Sequence, residues 1–206
     1  TRRRQSSSRL PQQHLQAVPA ARLLIADIAD MAAVQKAMQG MDVVVHMAAN
    51  PNGEAEWESV LQNNIVGSYN VFEACRQAGV KRVIYASSVQ VILGYGKDEP
   101  YASLLSGDPA VVPPIDCAPV THLQPTRPLN LYASSKVFGE ALAHTYAYSH
   151  GMSCICLRIG GVADPEPPDF PGVRALWCSQ RDIAQIAQRC IDAPASLRFD
   201  VFHCLS

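Results

Sequence analysis

Three short, mostly apolar runs, none long enough for a helix, constrain this chain most. They are DVVVHMAA at 42–49, RVIYAS at 82–87 and SCICLRI at 153–159, with RLLIA at 22–26 as a further candidate and 199–204 as a last strand. A β-branched run that is apolar at consecutive positions suits a strand covered on both faces, as in a parallel sheet. The segments between them have helical spacing. The pattern predicts helices over 32–39, 56–78 and 131–149, each followed by a glycine stop (Gly40, Gly79, Gly151), and a last helix over 181–192. Strand and helix alternate, so the expected class is α/β, a doubly wound parallel sheet with helices on both faces. In such sheets ligands bind beyond the carboxyl ends of the strands. The positions to inspect are therefore 48–50, 87–90 and 159–162.

With 206 residues, 48% of them apolar and 17% charged, the chain can bury one domain core. A net charge of −1 gives no electrostatic basis for binding nucleic acid. No apolar run approaches the roughly 20 residues of a membrane span. The seven cysteines are odd in number, with no CxxC pair and no Cys/His ligand spacing. They read as reduced, mostly buried thiols of a cytoplasmic protein, with Cys154 and Cys156 on one side of a strand. Residues 1–21 form an irregular basic segment. Over 1–26 there are five arginines (Arg2, Arg3, Arg4, Arg9, Arg22) and no acid. An organelle transit peptide and a plain surface loop both fit, and the missing amphipathic period over 5–20 favours the loop. Residues 22–206 are expected to form the domain, with a Pro-rich loop at 100–128 on the substrate side.

Chemistry centres on Tyr132 and Lys136. Four residues apart at the start of a predicted helix, they share one face. A free phenol, with a pKa of about 10, is a poor base at neutral pH, and a neighbouring ammonium is expected to lower that value. Proton transfer to or from a hydroxyl on carbon then becomes feasible. Ser88, just past the strand 82–87, can hold the same oxygen. The plain alternative for the Tyr/Lys spacing is an exposed helical pair. His46, inside an apolar strand, reads as a satisfied core histidine rather than a base. Gly94, Tyr95 and Gly96 begin like a phosphate loop, but Glu99 stands at its last glycine position, so they read as a turn.

In order, DIAD (27–30), VVVHMAA (43–49), NNIVGSYNVFEAC (63–75), RVIYASS (82–88), LYASSKVFGEAL (131–142) and LRIGGV (157–162) resemble the extended short-chain dehydrogenases/reductases, the NAD-dependent epimerase/dehydratase family. The resemblance runs from residue 22 onward. It is closest to the uronate dehydrogenase-like subgroup, through the LRIG strand, PEP (165–167) and Trp177 before SQRDIAQI. It implies a Rossmann-like, NAD(P)-binding domain: an oxidoreductase or epimerase acting on a sugar, sugar acid or nucleotide sugar by hydride transfer. Carried over, Tyr132 is the acid/base, Lys136 supports it and bonds the nicotinamide ribose, and Ser88 orients the substrate. Asp27 and Ile28 would meet the adenine. Met47, Ala48 and Ala49 would line the cofactor, Ser87 and Ile159 would flank the nicotinamide, and Asn64 belongs to the supporting helix. The implied cofactor is NAD, with NADP open. The helices 56–78 and 131–149 imply a possible homodimer.

Three departures qualify the resemblance. The first glycine is Gly40, so the first strand, Gly-rich turn and first helix that hold the pyrophosphate are not in these residues. The expectation is a domain truncated at both ends that binds NAD weakly, or, as the alternative, a relative that keeps the fold as a non-catalytic interaction module. After the serines, Val89 and Gln90 replace an Asn-His pair, and Pro51 brings no hydroxyl. Gly172 stands where a carboxylate-binding arginine is expected, with Arg174 two residues away as the substitute.

Overall fold

The computed structural model describes residues 22–105, 117–163 and 176–206. Helix α1 (Met31–Met38) begins at Asp30, whose carboxylate accepts from the backbone N–H of Ala32 and Ala33. Strand β1 (Val43–His46) follows. The next helical run has three parts: α2 (Trp57–Val60), a π-helical segment Leu61–Val66, and α3 (Gly67–Ala78), closed by Gly79 at φ 75°. Strand β2 (Arg82–Ser88) leads into a 3₁₀ segment, Val89–Lys97, and the short α4 (Tyr101–Leu105). The long α5 (Leu131–His150), β3 (Ser153–Ile159), α6 (Gln180–Ile191) and β4 (Phe199–Cys204) complete the order.

The four strands lie in the order β1-β2-β3-β4, all parallel. Each crossover carries a helix, as parallel neighbours require. Alternate side chains of the central strands divide between two cores. Val83, Tyr85, Cys154 and Cys156 pack with residues of α3 and α5, such as Phe72, Ala143 and Tyr146. Ile84, Ala86, Ile155 and Leu157 pack on the other face with Cys190 of α6. Cys154 and Cys156 therefore share one face, as their alternation predicts. All seven cysteines are free thiols, and six of them are buried. The carbonyls closing α6 are satisfied by the buried guanidinium of Arg82, which donates to Cys190, Ile191, Ala193 and Pro194.

The strand predicted over 22–26 does not form. Those residues are irregular, and Ile25 is 86% exposed. A strand is stable only when a neighbour takes its backbone N–H and C=O groups, and none of the four strands pairs with this segment. Of the Pro-rich loop, residues 106–116 lie outside the described residues. The Gly94-Tyr95-Gly96 turn is part of the 3₁₀ segment.

Helix α5 crosses the sheet at Gly139, where the Tyr85 ring fills the space of a side chain. A Cβ there would come within 2.1 Å of the ring. Gly139→Ala is therefore expected to destabilise the fold by about 1–3 kcal/mol through overpacking, despite alanine's better helix propensity. Urea unfolding checks this, and an unchanged midpoint would mean that Tyr85 gives way freely.

Candidate active site

The carboxyl end of β2 and the first turns of α5 meet at one cleft of about 400 Å³. Asn130 fixes the start of α5, its side-chain oxygen accepting from the Ala133 N–H at 2.7 Å. Tyr132, Lys136 and Glu140 then follow at four-residue intervals on the buried face of the helix. Ser87, Ser88, Tyr132, Lys136 and Ile159 all line this cleft, with Met47 and Ala49 from the loop after β1 opposite. The Ser88 hydroxyl oxygen accepts from the Gln90 N–H at 3.2 Å.

The ionisation of this group differs from the expectation. Burial holds the Tyr132 phenol above its ordinary value, and a hydrogen bond with Ser88 only partly opposes it. The expected lowering by Lys136 does not dominate. The Lys136 Nζ is 5.6 Å from the Tyr132 ring centre and donates to the Ala86 carbonyl at 2.7 Å. Burial also pulls Lys136 itself down to about 8. At rest the proton sits on the phenol.

Beneath the cleft lies a buried network that sequence reasoning missed. Glu140 takes a bidentate ion pair from Arg158 of β3 at 2.9 and 2.8 Å, and Ser87 donates to the same carboxylate at 2.6 Å. The signal was present in the sequence. Glu140 continues the Tyr132/Lys136 spacing by one more turn, and Arg158 is a lone charge in an apolar strand.

Asn64, in the π-helical segment, lines neither this cleft nor the one described next. It is 1% exposed, and its amide pairs both ways with the Asn50 backbone and donates to Ser135. Ser135 in turn donates to the Tyr132 carbonyl. Asn64 thus ties the loop after β1 to α5 and supports the site from below.

The other predicted cofactor residues sit apart. Ile28, Met47 and Ala48 line a second cleft of about 340 Å³ along the open edge of β1, and Met47 lines both clefts. Asp27 is exposed in the turn before α1, where its side chain accepts from the Ala29 N–H. Arg174 lies outside the described residues. His46 is a core residue as expected, 4% exposed, with its ring nitrogen 3.3 Å from the Ser68 hydroxyl.

Burial, reinforced by the Lys136 charge, holds His46 down to about 3. As pH falls below about 6.5 the unfolded chain takes up this proton and the folded chain does not. The stabilisation is therefore complete above that pH and is lost towards acid. Between about pH 6.5 and 5 the loss should reach about 1.5 kcal/mol, with His203, also held low by burial, adding in the same direction. His46→Gln should flatten the pH dependence of the melting midpoint over this window. An equal slope in the variant would mean that His46 takes up its proton while folded.

Comparison with known proteins is consistent with this geometry. The model of the NAD dependent epimerase/dehydratase family matches residues 1–177. The chain belongs to this family. Among curated members, the L-arabinose 1-dehydrogenase (NAD(P)(+)) of Haloferax volcanii is 38% identical over 180 residues, covering 82% of this chain and 68% of the relative. The uronate dehydrogenase of Pseudomonas putida is 32% identical over 176 residues, covering 85% of this chain and 58% of its own length. Among solved structures, a tyrosine-to-alanine mutant of Agrobacterium tumefaciens uronate dehydrogenase complexed with NAD is 30% identical with a TM-score of 0.71, covering 89% of this chain and 60% of that one. The chain thus spans about three fifths of the solved structure it matches. Among the described residues, no helix is long and apolar enough to cross a membrane.

Proposed function

We propose that this chain carries the hydride-transfer site of an NAD-dependent sugar dehydrogenase. The observation that carries the reading is the shared cleft of Ser88, Tyr132 and Lys136, with an acid/base phenol, a hydroxyl and an ammonium around one volume. The cleft also suits a nicotinamide riboside. Met47, Ile159 and Val162 offer apolar walls for a flat ring, and Lys136 offers a donor for ribose hydroxyls. NAD, when bound, supplies the hydride acceptor. Tyr132, once it has given its own proton to solvent, takes the proton of the substrate hydroxyl, Ser88 holds that oxygen, and Lys136 stabilises the phenolate beforehand. Asp27, Ile28, Ala48 and Ala49 are proposed to follow the rest of the dinucleotide.

The proposed substrate is an aldose or sugar acid, the kind of molecule named for the relatives. The test is oxidation of L-arabinose, D-glucuronate and D-glucose 6-phosphate by the full-length protein, followed by nicotinamide absorbance. Net reduction of NAD with one of these sugars supports a dehydrogenase. Sugar interconversion without net reduction would make it an epimerase, and absence of both activities would refute the reading. Arg174 is proposed as the partner of a substrate carboxylate. Arg174→Ala should raise KM for glucuronate by about tenfold or more and leave arabinose unchanged. Equal effects on both would remove that role. We further propose a cytoplasmic homodimer built on α3 and α5, where Tyr69 and Phe138 remain exposed. Light scattering of the purified protein tests the dimer.

A further inference from the structure

We infer that Cys178 and Cys204 form a redox pair, which hydrogen peroxide closes to a disulfide and a dithiol reductant reopens, fixing and releasing one wall of the cleft. Cys178 stands just before α6, and Cys204 ends β4. They are 26 residues apart in sequence, and the fold brings their sulfurs to 3.2 Å, closer than two unbonded sulfur atoms ordinarily pack. The Cys178 thiol donates to the Ser179 carbonyl at 3.6 Å, which leaves the Cys204 thiol to donate to the Cys178 sulfur. A disulfide needs the sulfurs at about 2.05 Å, so they must close by roughly 1.2 Å, within reach of small side-chain rotations.

The backbone around the pair holds the cleft wall. The Cys178 N–H donates to the Gly161 carbonyl at 3.0 Å, the Gly161 N–H to the Leu176 carbonyl at 2.7 Å, and the Gly160 N–H to the Cys204 carbonyl at 3.0 Å. Gly160, Gly161 and Val162 line the same cleft as Ser88 and Tyr132. A Cβ at Gly160 would come within 2.3 Å of the Leu176 carbonyl oxygen, so these segments touch closely. A bond between the two sulfurs therefore clamps Gly160 and Gly161 between covalently joined segments, and the wall can no longer part from β4.

Both cysteines are buried, and burial first, then the hydrogen bond with Cys178, holds the Cys204 thiol up to about 12. Thiolate is therefore scarce, and the pair stays reduced until oxidant is in excess. Leu205 and Ser206, directly after Cys204, are exposed, so local opening admits a molecule as small as peroxide. One sulfur, as thiolate, attacks a peroxide oxygen. The O–O bond breaks, and the departing hydroxide takes up a proton as water. The second sulfur attacks the resulting sulfenic acid, the S–S bond forms, the S–O bond breaks, and the second thiol proton leaves with that oxygen as water. Two thiols lose two electrons, and one peroxide becomes two waters. Thiol–disulfide exchange with a dithiol reverses the closure.

The test treats the folded full-length protein with excess hydrogen peroxide, alkylates the remaining thiols in denaturant and maps the tryptic peptides. The peptide 175–181 should appear joined to the one that begins at Phe199, and dithiothreitol should separate them. Recovery of both cysteines alkylated, or a linkage that pairs either of them with another cysteine, overturns the inference. In ¹⁵N-labelled protein the Gly161 and Cys178 amides should exchange with solvent at least about tenfold more slowly after oxidation. Unchanged exchange in protein that carries the linkage would overturn the clamp on the wall. Cys178→Ala and Cys204→Ala should each abolish both the linkage and the slowing. Slowing that persists in either variant would assign it to another oxidation. None of these readings needs turnover, so an inactive protein would refute the dehydrogenase reading and leave this inference to be decided by the linkage.

Discussion

Turnover should fall by at least about 10²-fold when Tyr132 is replaced by phenylalanine, while affinity for NAD stays within about threefold. The phenylalanine ring keeps the packing of a residue that is 8% exposed, and only the proton-carrying oxygen is lost. Because burial keeps the phenol protonated at rest, that proton must leave to solvent before Tyr132 can accept the proton of the substrate hydroxyl. The nearest positive charge able to stabilise the resulting phenolate is Lys136, and its own depressed value of about 8 sets where that help ends. The rate of sugar oxidation should therefore rise with pH as the phenol becomes easier to ionise, then level or decline as Lys136 loses its proton. Lys136→Met should lower turnover and NAD affinity together. Steady-state kinetics and calorimetry on the full-length protein check both variants. A fully active Tyr132→Phe protein would remove the mechanism.

Glu140→Ala should cost about 3–5 kcal/mol of folding stability, since it leaves the Arg158 guanidinium, 3% exposed, without its carboxylate. The Ser87 hydroxyl loses its acceptor in the same step. Neutralising both partners together, Glu140→Gln with Arg158→Met, removes the buried charges rather than orphaning one. It should recover most of the loss. Denaturant unfolding of the two single variants and the pair separates these outcomes. A Glu140→Ala loss below about 1 kcal/mol would mean that water reaches the ion pair.

The strands at 153–159 and 199–204 were legible to the residue, the first because a parallel strand covered on both faces leaves a mostly apolar run. The run at 22–26 looks the same in composition and yet forms no strand. Ladder partners lie far away in sequence, and periodicity carries no record of them. The cleft was legible through the spacing of Tyr132 and Lys136 and the serines closing β2. Its protonation was not, because the desolvation of Tyr132 depends on everything packed around it, whereas the sequence shows only the lysine four residues on. Glu140 and Asn130 escaped notice for a related reason. Each acts on a group brought near by the fold, and polar residues at a helix start or on a helix face are ordinarily solvated.

The widened helical turn at Leu61–Val66 has a consequence for what length changes the chain tolerates. An α-helix advances about 100° per residue, so losing one residue from this turn would let the backbone relax into regular α-helix. The relaxed helix would keep its hydrogen-bond ladder but swing Asn64 round, away from the Asn50 peptide and Ser135. A single-residue deletion here is therefore a lesion of alignment more than of folding. The helix survives, and the loop after β1 loses its tether to the helix bearing Tyr132. Substitution scans, which preserve length, would overlook this sensitivity.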